Sequence, residues 1–466
     1  MERENAWKKY KKNDLTKLEK LNKEYRVFLS ENKTERECCA YAVKEAEKAG
    51  YVDINDIIKK NKKLRAGDKV YAVNMDKCLA LFNIGKKPLE EGMAILGAHI
   101  DSPRMDVKQN PLYEDTQLAY LDTHYYGGIK KYQWVTVPLA IHGVFAKKDG
   151  TVVPVCIGED KDDPIFCVTD LLIHLSQENM DKKASKVIEG EALDILIGSQ
   201  PLPAKTKDEK EEKEAVKNNI LKLLKDKYDV DEEDFLSAEL EVVPAGAARE
   251  SGIDRSMIMA YGQDDKVCAF TSLKAMLAVD APDHTTCCLL VDKEEIGSVG
   301  ATGMRSQFFE NTVAELIGCA GTYDDRLVKR CLKNSRMLSS DVSAAFDPTY
   351  ASAYEKKNAA YFGRGMVFNK FTGARGKSGS NDANAEYMAR IRGILDEEGV
   401  SYQTAELGKV DVGGGGTIAY IMALYGMDVI DCGVAVLNMH APWEITSKAD
   451  IYETEKGYEV FLKKIF

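Results

Sequence analysis

The sequence has no apolar run that approaches the roughly 20 residues needed for a membrane-spanning helix. Residues 1–20, MERENAWKKYKKNDLTKLEK, also lack the apolar core of a signal peptide. We therefore expect no membrane partner, and we predict that the chain stays in the cytoplasm.

The chain lacks any CxxC spacing, although it contains eleven cysteines. They are scattered singly or stand as adjacent pairs, Cys38 with Cys39 and Cys287 with Cys288. This usage is typical of reduced, mostly buried thiols and argues against a structural zinc site or a disulfide framework.

The marks of three other function classes are also missing. No GxSxG elbow is present and no cysteine stands in a recognisable nucleophile motif, which argues against a serine or cysteine hydrolase. The glycine run VDVGGGGTIA at 410–419 lacks the Lys and the Ser or Thr that end a P-loop. The net charge of −11 argues against a nucleic-acid partner, because phosphate binding needs a basic surface.

What the chain does contain is the pattern of a large globular protein. Its 466 residues are 44% hydrophobic and 30% charged, which favours two domains with sizeable cores. Short apolar runs that end in polar residues alternate with helical segments, as in MAILGAHIDSPRMD, TTCCLLVDKEE, SRMLSSDVS and VIDCGVAVLNMHAP. This alternation predicts an α/β fold in which helices cover both faces of the sheet.

The segment 107–245 follows a different pattern. Its β-rich stretch QWVTVPLAIHGVFAKKDGTVVPVCIG contains a KDG turn that predicts a hairpin. We therefore predict an inserted domain at 107–245 and a discontinuous domain formed by 1–106 and 246–466. The charged stretch AKTKDEKEEKEAVKNN at 204–219 predicts a solvated loop or an exposed helix.

Polar side chains that can bind metal follow several of the predicted strands. Open α/β sheets bring such side chains together at the carboxyl ends of their strands. Carboxylates gathered in a crevice would repel each other, whereas divalent ions turn that repulsion into ligation. The pattern therefore predicts a metal site. Its candidate residues are His99, Asp101, Asp264, Asp265, Glu294, Glu295, Asp341 and His440.

The number of candidate ligands favours two metal ions over one. Five ligands exceed what one tetrahedral zinc with an open position needs, whereas two ions about 3.5–4 Å apart can share a bridging carboxylate and clamp a hydroxide. Zinc, cobalt and manganese all suit imidazole and carboxylate ligands, so the residues leave the metal open. The five ligands are His99, Asp264, Glu295, Asp341 and His440.

Two further carboxylates have predicted supporting roles. Glu294, adjacent to a ligand but not itself one, is positioned to be the general base. Asp101 lies two residues after His99 on the same face of an extended segment, where it can accept the imidazole N–H and fix the tautomer.

These motifs resemble those of the aspartyl aminopeptidase family of dinuclear metalloaminopeptidases, the group that includes vacuolar aminopeptidase I. The resemblance runs over nearly the whole chain, in motif order and intervals as well as residue types. It implies that one metal is held by His99, Asp264 and Asp341. The other would be held by Asp264, Glu295 and His440, with Asp264 as the bridge and Glu294 as the base. The motifs are GAHIDSPRMD, QDDKVCAF, DKEEIGSVGATG, SSDVSAAFDP and VDVGGGGTIA, followed by DCGVAVLNMHAPWE.

The resemblance also implies an assembly. Members of the family carry a β-rich domain inserted after the HxD motif, use it to pair subunits, and form tetrahedral dodecamers; the segment 107–245 matches this insertion in place and length. A histidine of that domain reaches the neighbouring subunit's active site, where it can stabilise the oxyanion. The motif DLLIHLSQ makes His174 the candidate. The alternative is a histidine on an amphipathic helix with no such role.

The sequence departs from the family pattern where acidic substrates are recognised. Members with an acidic preference carry TWFDRDL after the paired glycines, whereas this chain reads GGIKKYQWVTVPL from Gly127. Asn369 stands where those members carry a lysine, with Lys370 adjacent. A broader, neutral or basic preference is therefore as well supported as an acidic one.

The expected function is removal of N-terminal residues from peptides by a metal-activated water with Glu294 as base. Two alternatives remain open. One keeps the two metals but acts on non-peptide acyl amides, and the other is a catalytically silent oligomeric scaffold.

Overall fold

The structure is a computed structural model that describes residues 3–203 and 213–466. Contacts divide the chain into two compact units. The larger unit comprises Met1–Asp101, Ala248–Met439 and Glu444–Phe466, and the smaller comprises Ser102–Ala247 and His440–Trp443. The use of the inserted segment for dimerisation stays a prediction.

A nine-stranded mixed sheet forms the centre of the larger unit, and the predicted α/β class is confirmed. Its central strands Thr286–Val291, Ala94–His99, Arg336–Ser340 and Asp428–Gly433 are parallel to one another. In spatial order the strands are Val52–Asp53, Lys69–Asn74, Cys78–Asn83, Thr286–Val291, Ala94–His99, Arg336–Ser340, Asp428–Gly433, Met366–Asn369 and Tyr402–Thr404.

A second, five-stranded sheet completes the strands of the larger unit. The run VIDCGVAVLNMHAP, which reads as a single apolar segment, is divided between the two sheets: Asp428–Gly433 belongs to the first and Ala435–Leu437 to the second. The order in this sheet is Arg249–Ser251, Met257–Ala260, Glu444–Ser447, Ala435–Leu437 and Ser343–Ala344.

Helices cover both faces of the nine-stranded sheet. Successive residues of one strand point to opposite faces, so Ile95 packs in one buried cluster and Leu96 in the other. Each cluster also contains residues of several helices, as expected for a buried parallel sheet. The α-helices of this unit are Lys12–Glu31, Glu35–Lys48, Ile54–Lys59, Gln263–Leu277, Phe308–Ala320, Asp325–Asn334, Ala385–Glu397, Ala419–Ala423 and Lys448–Lys464.

Local signals correctly place one of the N-terminal helices. Thr34 accepts the N–H of Glu37, and the Glu37 carboxylate accepts the N–H of Thr34 at 3.0 Å, so the predicted capping box is confirmed. The helix Glu35–Lys48 ends shortly before Gly50, whose φ of +87° is one that L side chains rarely adopt.

The smaller unit contains a seven-stranded antiparallel sheet. Ala146 pairs with Val152 across the KDG turn, which confirms the predicted hairpin. Residues 204–212 of the predicted charged stretch lie outside the described residues, and its end forms the start of helix Ala215–Tyr228. In order, the strands are Val152–Ile157, Leu139–Ala146, Ala238–Pro244, Arg104–Asp115, Leu118–Tyr126, Ile195–Gly198 and Cys167–Val168, with short helices at Gln177–Met180 and Ala184–Val187.

Among the described helices, none has both the length and the apolar character that crossing a bilayer requires.

Candidate metal centre

Three parallel strands bring predicted site residues to one edge of the nine-stranded sheet. His99 ends the central strand and pairs in register with Val291 on one side. On the other side Gly97 pairs with Ser339, two residues before Asp341. Residues that directly follow these strands therefore lie near His99, as the rule for carboxyl ends of parallel strands predicts.

Asp264 enters from the first turn of helix Gln263–Leu277. The residue before this helix, Gly262, has φ +70° and no side chain to cap it. Glu444, from a neighbouring strand of the five-stranded sheet, takes that role: its Oε2 accepts the N–H groups of Gln263 at 2.5 Å and Asp264 at 3.0 Å. The buried Glu444 carboxylate therefore fixes the start of the helix and the position of Asp264.

His99 is buried and surrounded by acceptors. Its Nδ1 lies 3.2 Å from the carbonyl oxygen of Asp101, and its Nε2 lies 3.6 Å from Oδ1 of Asp341. Because a carbonyl oxygen only accepts, this contact places a proton on Nδ1 and leaves Nε2 as the nitrogen that can bind a metal. The Asp101 carboxylate, predicted to accept the imidazole N–H, lies slightly farther away, with Oδ1 at 3.5 Å from Nδ1.

The Asp101 side chain makes its shortest described hydrogen bonds elsewhere. Oδ1 accepts the backbone N–H of Glu294 at 3.0 Å, and Oδ2 accepts that of Glu295 at 3.1 Å. These residues form a short 3-10 turn, Glu294–Ile296, between Lys293 with φ +68° and Gly297 with φ +94°. A single fully buried carboxylate thus holds the turn that carries the predicted base and a predicted ligand.

Two groups of possible ligands form within the larger unit. Ligand atoms of His99, Asp264 and Asp341 all lie within 4.8 Å of one another, and the same holds for His99, Asp265 and Glu295. Two ligands of one tetrahedral zinc ion lie roughly 3.3–3.6 Å apart for bonds of about 2.0–2.2 Å, and Nε2 of His99 lies 3.6 Å from Oδ1 of Asp341. The imidazole and carboxylate donors at this spacing therefore fit a divalent metal.

Asp265 was not predicted as a ligand. Its Oδ1 lies 3.7 Å from Nδ1 of His99, and its side chain is fully buried. In the sequence it reads as the second residue of an acidic pair at a helix start, where an N-terminal dipole partner is the ordinary explanation.

Most of the charged groups around Glu294 are carboxylates. Burial raises the pKa of Glu294 to about 8; nearby His99 opposes the shift, while Asp341, Asp101 and Asp264 add to it. Burial alone would lower the pKa of His99, but its contacts with the carboxylates of Asp101 and Asp341 raise it well above the ordinary value. A bound divalent cation would offset this accumulation of carboxylates.

Gly433 allows the backbone to approach closely beside Asp341. A Cβ at this position would lie 2.1 Å from the carbonyl oxygen of Asp341 and 2.6 Å from Sγ of Cys268. The preceding residue, Cys432, accepts the N–H of Asp341 at 3.2 Å. A side chain at Gly433 would therefore displace the Asp341 segment.

His440 and His174 belong to the smaller unit. Nδ1 of His440 lies 2.8 Å from the carbonyl oxygen of Gly128, so by the argument used for His99 its Nε2 is the nitrogen that could bind a metal. His174 is exposed in a short 3-10 turn, Ile173–Leu175, so the amphipathic α-helix considered as its alternative setting is not present. The functional roles of both histidines stay predictions.

Comparisons with known proteins identify the family of this chain. The family profile described as Aminopeptidase I zinc metalloprotease (M18) matches residues 28–462. A probable M18 family aminopeptidase 1 of Clostridium acetobutylicum is 63% identical over 461 residues, covering 99% of this chain and 98% of the relative.

Solved structures show the same fold. The crystal structure of an M18 aminopeptidase from Thermotoga maritima matches with a TM-score of 0.93 and 46% identity, covering all of both chains. A structure of the S. cerevisiae mApe1 dodecamer matches with a TM-score of 0.77 and 20% identity, covering 97% of this chain and 98% of that one. At that identity the yeast match supports the fold alone.

The chain is thus a metal-dependent aminopeptidase by family, and it belongs to the M18 family of aminopeptidase I zinc metalloproteases.

Proposed function

We propose that this aminopeptidase cleaves the N-terminal residue from peptides with two divalent ions and with Glu294 as general base. The observation that carries the proposal is the convergence of His99, Asp264 and Asp341 within 4.8 Å, beside a turn whose Glu294 and Glu295 are both held by Asp101. Five or more donors at such spacing suit two ions better than one.

In the proposed ligand set, His99, Asp264 and Asp341 would hold one ion, and Asp264, Glu295 and His440 would hold the other. Zinc is favoured by the family description, and cobalt or manganese would suit the same donors. When bound, the ions lower the pKa of a water molecule and polarise the scissile carbonyl.

The protein side chains supply orientation and proton transfer. Asp101 accepts the N–H of Glu294 and so fixes the backbone from which this carboxylate projects. Glu294 accepts the proton of the attacking water as general base and then donates it to the leaving amine as general acid. The Asp101 carbonyl oxygen fixes the tautomer of His99 that leaves Nε2 available.

The proposal includes a homo-oligomer in which His174 reaches a neighbouring subunit's site and stabilises the oxyanion. His174 lies in a segment with large exposed apolar side chains, including Ile165, Leu172, Ile173, Leu175 and Met180, which are between 54% and 68% exposed. A concentration of exposed apolar side chains in one segment favours a surface that binds another chain. A tetrahedral dodecamer built from dimers is the proposed assembly, and the yeast fold relative is described as a dodecamer.

Metal analysis together with a substrate panel tests the proposal. After dialysis the purified protein should retain about two ions per chain, and chelation should abolish cleavage of aminoacyl p-nitroanilides until zinc, cobalt or manganese is restored. The same panel, with neutral, basic and acidic N-terminal residues, identifies the preferred substrate.

N-acetylated versions of the best substrates are the matched control. An aminopeptidase requires the free α-amine, so acetylation should remove activity. Equal cleavage of acetylated substrates would instead support an amidohydrolase, and a dialysed protein that holds no metal would contradict the proposed site.

A further inference from the structure

A cavity in the larger unit is lined by basic side chains and lies outside the predicted metal site. It has a volume of about 580 Å³, and none of the predicted ligands lines it. Five cationic side chains contribute to its wall: Arg3, Lys356, Lys357, Arg364 and Arg392. We propose that this basic pocket binds a small polyphosphate anion, such as inorganic tripolyphosphate or a nucleoside triphosphate.

The cations of the basic pocket have few balancing carboxylates. Within residues 3–203 and 213–466, no carboxylate forms an ion pair with Arg3, Lys356 or Lys357. Arg392 hydrogen-bonds to Tyr402 and is also attracted by the carboxylate of Asp396 on the same helix. Glu355 is close in sequence, but its carboxylate accepts the N–H of Lys357 and the side-chain amide of Asn358. In a chain with net charge −11, this cluster of positive charge is a local exception that an anion would stabilise.

Aromatic rings hold several of these cations in place. The guanidinium of Arg3 lies 4.3 Å from the ring centre of Tyr402, and that of Arg364 lies 4.5 Å from the ring centre of Tyr361. Such cation–π contacts orient the side chains without neutralising their charge. The planar guanidinium of Arg3 then remains suited to bidentate contacts with phosphate oxygens.

Hydrogen bonds fix the backbone that forms the wall. Gln403 accepts the N–H of Tyr361 at 2.9 Å and donates to its carbonyl oxygen at 2.8 Å. The Tyr361 hydroxyl donates to the carbonyl oxygen of Lys356 at 2.8 Å, and the N–H of Glu406 donates to that of Asn358 at 2.7 Å. A pocket ordered in this way has less conformational entropy to lose when a ligand binds.

Size and charge together select the ligand class. The cavity lies within the roughly 300–1,000 Å³ typical of small-molecule sites, so it is large enough for a nucleotide. Five positive charges exceed the negative charge of one phosphate group, whereas a chain of three phosphates carries more charge and presents several oxygens to several donors.

Isothermal titration of the metal-loaded protein with tripolyphosphate and with ATP tests the proposal. The variant Lys356→Gln/Lys357→Gln should bind at least tenfold more weakly, whereas Lys12→Gln/Lys59→Gln, which removes the same charge at exposed positions, should match the wild type. Both ligands chelate metals, but the heat of chelation should be the same for the wild type and the two variants. A difference in affinity between the variants therefore measures binding at the pocket. ATP binding with no tripolyphosphate binding would place the recognition on the nucleoside and overturn the proposal.

Peptidase activity and oligomer size serve as further readouts. The basic pocket contributes no residue to the proposed catalytic machinery, so the pocket variant should keep wild-type activity, which also shows that it folds. Equal affinity of the two variants, or no binding by the wild type, would overturn the proposal. So would a change in oligomer size without a change in affinity, because the pocket would then be a contact between subunits.

Discussion

The carboxylate of Asp101, which lies two positions after His99, accepts the backbone N–H of the proposed general base, Glu294, at 3.0 Å. The other oxygen of the same carboxylate accepts the N–H of Glu295 at 3.1 Å. One buried side chain therefore sets the position of the proposed base and of a proposed ligand together.

Replacing Asp101 by Asn should loosen both positions. An amide has one acceptor oxygen, so one of the two N–H groups would face an NH₂ donor. We expect metal affinity to fall by about 10–100-fold, as for other groups that orient metal ligands. Competition with a chelating dye measures the affinity, and Asp115→Asn, at an exposed position, is the control. Wild-type affinity in the Asp101 variant would contradict this positioning role.

Replacing Glu294 by Gln should separate metal binding from catalysis. The amide keeps the size of the side chain but cannot accept the proton of water, so kcat should fall by about 10²–10⁴-fold. Metal content, measured by mass spectrometry of dialysed protein, should equal that of the wild type. Glu315→Gln, on the exposed face of helix Phe308–Ala320, should change neither quantity. Undiminished turnover in the Glu294 variant would assign the base elsewhere.

Glu444 gives a third test, because it holds the start of the helix that carries Asp264. Glu444→Ala would leave the buried N–H groups of Gln263 and Asp264 without this acceptor, at a cost of about 1–3 kcal/mol for each. Glu444→Gln keeps one oxygen that can accept both and should therefore be milder. Urea unfolding of the two variants measures the difference, and equal stability would show that the cap contributes little.

The sheet edge could be predicted from sequence because its signals are local. Apolar runs such as TTCCLLV define strands, and the polar residues that follow them identify the ends of those strands. Once the strands are parallel, their ends must meet, so His99, Glu295 and Asp341 could be named together. The capping box at Thr34 was predictable for the same reason, since both of its partners lie within one turn.

The remaining features depend on tertiary packing and have no local signal. Glu444 caps a helix that begins 181 residues earlier in the chain, and no spacing rule connects the two. Asp265 lies 3.7 Å from His99 at the start of a helix that Glu444 caps from a distant part of the chain. Gly433 reads as an ordinary strand residue, and the close approach of Asp341 becomes visible only in three dimensions. The hydrogen bonds from the backbone of Glu294 and Glu295 to Asp101 likewise have no local sequence signal.

His174 can be tested by mixing inactive proteins. His174→Ala should lower kcat with little change in KM if the imidazole stabilises the transition state in a neighbouring subunit. Mixed oligomers of His174→Ala with Glu294→Gln, formed by refolding or co-expression, should then regain activity. In such a mixed oligomer, the His174→Ala subunit has an intact Glu294 and can receive an intact His174 from a neighbouring Glu294→Gln subunit.

The amount of recovered activity distinguishes the possibilities. Recovery in mixed but not in separately assembled oligomers supports action between subunits. No recovery, with oligomer size unchanged by gel filtration, would mean that His174 acts within its own chain or has no catalytic role.

The buried carboxyl of Asp450 should make the free energy of unfolding depend on pH, independently of catalysis. It is fully buried in the first turn of helix Lys448–Lys464, where Oδ1 accepts the N–H of Gly365 at 2.7 Å and Oδ2 that of Gly363 at 2.8 Å. Burial raises its pKa to about 7, although these hydrogen bonds oppose the shift. The ordinary value is about 3.9.

Because the folded-state pKa is the higher one, the folded protein binds the proton more tightly than the unfolded chain. The resulting stability is fully present below pH of about 3.9 and is lost as pH rises through about 7, at up to about 1.4 kcal/mol per pH unit.

Asp450→Asn does not titrate. It should therefore be less stable than the wild type at about pH 5, because both oxygens of the protonated Asp450 carboxyl can still accept an N–H whereas the amide NH₂ cannot, and this deficit should shrink by about pH 8. Urea unfolding at both pH values measures the difference, with exposed Asp396→Asn as the control that should parallel the wild type. A deficit that is the same at both pH values would show that Asp450 titrates alike in the folded and unfolded chains.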